Sequence, residues 1–73
     1  MAHADMMEVD GVVKEVLPGA TFWVELPGVE KPILCHLSGK LHINHIRILE
    51  GDKVKLEMTP YDLTRGRIIW RYK

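Results

Sequence analysis

Seventy-three residues suffice for one domain, and a chain this short buries only about 60% of the surface its unfolded form exposes, so a deep catalytic cleft is not expected. Hydrophobic residues at 47% and charged residues at 27% are globular values that exclude a disordered tail or a fibrous repeat, and the single Cys35 excludes an internal disulfide and a Cys-x-x-Cys motif. The formal net charge of zero hides a division: residues 1–37 carry two basic side chains (Lys14, Lys31) against six acidic ones, whereas residues 38–73 carry eight basic against four acidic.

Along the chain, residues 1–6 have no structural signature and are expected to be flexible, with neither a basic leader nor a long apolar run that would direct secretion or membrane insertion. Residues 8–16 place Val9, Val12, Val13 and Val16 among charges, and Gly11 breaks the alternation where a strand would bend or bulge. Leu17-Pro18-Gly19-Ala20 supplies the proline and glycine of a reversing turn. In residues 21–26, Phe22, Val24 and Leu26 share one face, which sends Trp23 to the outer one. After the turn at Pro27-Gly28, Ile33, Cys35 and Leu37 alternate with Leu34 and His36, with Cys35 as a small core residue. Ser38 can cap a short helical piece over residues 40–44, in which Leu41 turns toward the core. Past the turn at Glu50-Gly51-Asp52, residues 53–58 put Val54, Leu56 and Met58 inside. Residues 59–66 read as an exposed loop. Residues 67–72 read as a last strand in which Ile68 and Trp70 face the core, while Arg67, Ile69 and Arg71 share the outer face.

Five short strands with a brief helix between the third and fourth predict an all-β, five-stranded OB-fold, a Greek-key barrel occupying residues 1–73 as a single domain. Barrel closure removes sheet edges that would invite aggregation and wraps a core around few large apolar groups.

The sequence offers little for catalysis. Cys35 and His36 are neighbours in a strand and point to opposite faces, so neither can activate the other. His36, His42 and His45 lack a fourth metal ligand unless Cys35 turns outward, and no phosphate-cradling glycine loop occurs. No catalytic residue, metal or cofactor is therefore expected. Nucleic-acid binding has better support, because OB-folds hold single strands in a charged groove with aromatic platforms. Arg65, Arg67, Arg71 and Lys73 cluster without an intervening acid, Tyr61 precedes them, and Lys40, His42, His45 and Arg47 surround the helical piece. The alternative for these charges is an ordinary solvated strand. Trp23 reads either as an exposed stacking ring or as a ring lapping over a neighbour at the barrel rim.

The stretches Leu37-Ser38-Gly39-Lys40, Ile46-Arg47-Ile48-Leu49, Gly51-Asp52-Lys53-Val54 and Thr59-Pro60-Tyr61-Asp62-Leu63-Thr64-Arg65-Gly66-Arg67-Ile68, in register over nearly the whole chain, resemble the bacterial translation initiation factor one family. The resemblance implies a non-enzymatic, cytoplasmic, monomeric factor that occupies the aminoacyl-tRNA site of the small ribosomal subunit. It implies contacts with decoding-site ribosomal RNA and a neighbouring ribosomal protein, and support for the other two initiation factors. The residues it carries over are Ser38, Gly39, Lys40, Arg47, Tyr61, Arg65, Arg67 and Arg71, with Trp23, His42 and His45 as candidate contacts of this chain. Trp23, His42, Ile43 and His45 depart from the family's pattern, which commonly has arginine at the first, basic residues near the next two and often a tyrosine near the last. Such changes lower the phosphate-neutralising charge and flatten the salt dependence of binding. Two other classes compete: a generic single-stranded RNA or DNA binder of cold-shock type, disfavoured because strands two and three carry only Phe22 and Trp23 as aromatics, and a protein-binding barrel using Ile43 and Ile69.

Overall fold

The alternating apolar residues build five strands: β1 (Met7–Leu17), β2 (Thr21–Glu25), β3 (Ile33–Leu37), β4 (Lys53–Thr59) and β5 (Asp62–Arg71). The structure is a computed structural model that describes residues 6–39, 41 and 46–72. The strands close into a barrel in the order β1-β2-β3-β5-β4, in which only the β3–β5 contact is parallel. This is the expected all-β, five-stranded OB-type architecture.

The inward residues follow the period of two: Val13 from β1, Phe22 and Val24 from β2, Ile33 and Cys35 from β3, Val54, Leu56 and Met58 from β4, and Ile68 from β5 are all buried. The first turn reverses the chain as expected, with Gly19 and Ala20 both at positive φ and the Thr21 hydroxyl donating to Pro18 O at 2.8 Å. Gly11 does not carry the register break of β1, which falls between Val13 and Glu15. Its missing side chain instead lets β1 lie close to β2, since a Cβ there would come within 2.6 Å of Val24 Cγ1.

All named elements among the described residues are strands. Most of the helical piece expected over residues 40–44 lies outside the described residues, although Gly39 and Leu41 have helical backbone. As expected, Ser38 Oγ accepts from Leu41 N at 3.3 Å, and Leu41 is buried in the core.

The carboxyl-terminal third departs from the alternation reading in three ways. Residues 62–66 are not loop but the start of β5, because Thr59 pairs with Asp62 and closes the β4–β5 hairpin in two residues. Trp70 is not core: it is 57% exposed. The reason is a bulge, since Leu56 pairs with Ile68 but the next residue of β4, Lys55, pairs with Trp70, leaving Ile69 as the extra residue. The same bulge separates Arg67 from Arg71. Arg67 lies opposite Glu57 on the outer face, whereas Arg71 lies opposite the buried Val54, at the end of the barrel.

Candidate nucleic-acid interface

The outer face of β2, β3 and β5 is assembled by backbone register. Trp23 pairs with Leu34 and Leu34 with Arg65, which sets these three in one row. In the next row Thr21 pairs with His36, His36 with Arg67, Arg67 with Glu57, and Glu57 with Glu8. The parallel β3–β5 closure therefore brings an indole and two guanidinium groups onto one surface. A shallow groove of about 280 Å³ opens beside it, lined by Met6, His36, Glu57, Met58, Thr59, Arg65, Gly66 and Arg67.

Each expected contact residue among the described ones has a definite place. Arg65 is exposed and makes no ion pair among the described residues. Arg67 is held by the Glu57 carboxylate. Arg71 donates through Nη1 to Arg47 O at 2.5 Å, so it braces the segment before β4 while the Arg47 side chain stays exposed. Tyr61 stands 84% exposed at the tip of the β4–β5 hairpin, its amide donating to Thr59 Oγ1. Trp23 is half-buried, as fits a ring partly covering the outer face. Gly39 is exposed, but Ser38 is buried, with its hydroxyl turned to Leu41 N and its amide donating to Ile68 O at 3.0 Å. Ser38 therefore shapes the loop from within. Lys40, His42 and His45, like Ile43, lie outside the described residues.

The cationic flank is narrower than the run of basic residues suggests, since one arginine is paired and another is turned to the barrel end. Among the described residues, Arg47 and Arg65 stay open to an anion. Glu57 is the neighbour of Arg67 that sequence reading missed. Its outward position in β4 was plain, but its pairing with Arg67 depends on the hairpin register. Ile69, a candidate for an apolar docking patch, is only half-exposed; the exposed apolar groups include Trp70, Tyr61 and Leu63.

A larger cleft, about 680 Å³, lies between β1 and the segment after β2, and it carries Asp10, Glu25 and Glu30 against Lys53. That sign is wrong for phosphate. Cys35 is buried with its thiol pushed up to about 12, chiefly by desolvation, while His36 is exposed on the opposite side, so the adjacent pair has no shared chemistry. Among the described residues no group of three His, Cys, Asp or Glu side chains is placed to hold a metal ion, and no helix is long and apolar enough to cross a membrane.

A closed five-stranded barrel with an indole and two guanidinium groups on one face fits the RNA-binding class of OB barrels. Comparison narrows the class. Residues 1–73 match the family described as Translation initiation factor 1A / IF-1, and the chain belongs to that family. It is similar to translation initiation factor one from the Wolbachia endosymbiont strain TRS of Brugia malayi. That likeness has 46% identity and a TM-score of 0.76, covering 94% of this chain and 80% of that one. It is also similar to YjeQ from Thermotoga maritima, with 27% identity and a TM-score of 0.72, over 92% of this chain but only 23% of that protein.

Proposed function

We propose that this translation initiation factor acts by occupancy: it binds the aminoacyl-tRNA site of the small ribosomal subunit, contacts decoding-site ribosomal RNA and a neighbouring ribosomal protein, and assists the other two initiation factors. It makes and breaks no bond, requires no cofactor or metal, and works as a cytoplasmic monomer. The observation that carries this reading is the family match over residues 1–73. The outer face, where Trp23, Arg65 and Arg67 meet, supports it.

In this reading Arg65, Arg67, Arg47 and Lys40 meet phosphates. Tyr61 and Trp23 offer rings to unpaired bases, His42 and His45 add donors, and the Gly39 backbone approaches RNA closely. Ser38 and Arg71 hold the loop that presents them, through Leu41 N and Arg47 O. A generic cold-shock-type binder is the weaker reading, because Phe22 is buried and unavailable as a platform.

Sedimentation with purified small subunits, with and without the other two factors, tests the proposal. The wild type is expected to co-sediment, more tightly when the other factors are present, and Arg65→Ala to bind more weakly while unfolding at an unchanged temperature. Failure of the wild type to co-sediment, alongside tight binding to unstructured RNA, would favour the generic binder instead.

A further inference from the structure

A carboxylate stands among the cations of the groove, and its position is electrostatically unfavourable on one side. Glu57 faces Glu8 directly across the β1–β4 ladder, and like charges opposite each other in antiparallel strands are destabilising. On its other side it faces Arg67 and holds the guanidinium in an ion pair. The Glu57 side chain is only 18% exposed, against 44% for Arg67, so the carboxylate is tucked in beside its partner. Lys55 is drawn to Glu8 at 3.7 Å, while His36 lies on the far side of Arg67 and Arg65 two residues before it in β5. Partly exposed pairs of this kind stabilise a fold only slightly. What Glu57 does achieve is to engage the planar fork that an RNA phosphate would otherwise take.

We propose that Glu57 is a specificity-determining residue of the RNA-binding face: a resident competitor for Arg67 that any incoming phosphate must displace. Unstructured RNA can satisfy Arg65 but gains little at Arg67. Only a folded RNA that brings phosphates to both arginines at once overcomes the competition. This rests on the ribosomal reading given above, but its decisive measurement is independent of the ribosome.

The measurement is equilibrium binding of the wild type and Glu57→Gln to a polyuridine oligonucleotide, and in parallel to purified small subunits, across a range of salt concentrations. Removing the charge is expected to raise polyuridine affinity by up to about fivefold, the upper scale of such a pair. The logarithmic salt slope should steepen by about 0.7, the increment for one more neutralised phosphate on a single strand. Affinity for small subunits should rise less, so the ratio between the two ligands narrows. The gain must also vanish in the double variant Glu57→Gln, Arg67→Ala, and Glu57→Ala must repeat the single-variant result with thermal unfolding confirming a folded protein. An unchanged polyuridine slope, a fall in affinity, a gain that survives loss of Arg67, or no polyuridine binding by any of the proteins overturns the role of Glu57. Failure of the wild type to bind small subunits refutes the ribosomal reading instead.

Discussion

At Gly11 the barrel tolerates no side chain. An added Cβ would meet Val24 Cγ1 at 2.6 Å, Leu26 Cδ2 at 2.9 Å and Glu25 O at 3.0 Å, and the last belongs to the backbone, which cannot swing aside. Gly11→Ala is expected to cost about 1–3 kcal/mol, the range for overpacking. Gly66→Ala should cost less, because its neighbours, Cys35 Sγ at 3.2 Å and Met58 Cγ at 3.3 Å, are side-chain atoms that can shift by a few tenths of an ångström. Urea unfolding of both variants checks the order, and a harmless Gly11→Ala would contradict the packing. The sequence marks Gly11 as unusual but assigns it a bend, because only the fold reveals which neighbour occupies the missing volume. Cys35 was legible as a core residue, since a small apolar side chain between Ile33 and Leu37 belongs inside. Its thiol is raised from an ordinary value of 9.0 to about 12, chiefly by desolvation, so the protonated form is favoured on folding. That contribution is present below the unfolded value and is lost as pH rises from about 9 toward 12. Two outcomes are expected: alkylation at pH 8 that is far slower in the native protein than in urea, and declining stability across that alkaline window. Rapid native labelling would mean that the strand exposes Cys35.

The element that defeated simple alternation is β5. A period of two assigns Ile68 and Trp70 to the same face, yet one extra residue at Ile69 turns the indole outward opposite Lys55 and sends Arg71 inward opposite Val54. Alternation carries no record of such an insertion, since the bulge exists only in the pairing of β5 with β4. The hairpin preceding it was hidden for a related reason. Pro60 and the polar run after it resemble a loop, and Thr59 Oγ1 bonded to Tyr61 N, with Asp62 bonded to Thr64, shows the local chemistry that tightens it into a turn. A pair of substitutions separates the two accounts of β5. Ile68→Ala, at a fully buried position, is expected to cost about 2–5 kcal/mol. Trp70→Ala, at a position 57% exposed, should cost clearly less than Ile68→Ala. Chemical denaturation of the two variants decides the matter, and a comparable loss from both would restore Trp70 to the core.

Over the whole molecule, the division of charge along the sequence is partly cancelled in space. The acidic first half is threaded beside the basic second half, so Glu8 meets Lys55 and Asp10 pairs in register with the same lysine, and within the second half Glu57 meets Arg67. Strand number and most of the core were legible because β2, β3 and β4 each declare their own inner face. The interface was legible only as residue types, because its assembly depends on the parallel β3–β5 contact, which sets Leu34 beside Arg65 across a long stretch of chain with no local signature. The salt dependence of RNA binding should accordingly follow which cations are open to the ligand, since each phosphate neutralised adds about 0.7–0.9 to the logarithmic slope. Arg65→Ala, at an exposed position without an ion pair among the described residues, is expected to lower that slope by one such increment and leave stability unchanged. Arg71→Ala should behave in the opposite way, because its guanidinium is spent on Arg47 O: stability falls by about 1 kcal/mol and the slope stays put. Lys55→Ala, with its ammonium directed at Glu8, should also leave the slope unaltered. Titrating each variant against small subunits at several salt concentrations, beside a thermal unfolding curve, tests all three together. Equal slope losses from Arg65 and Arg71 would mean that binding reads total charge, and the geometry of the barrel face would then carry no information about its ligand.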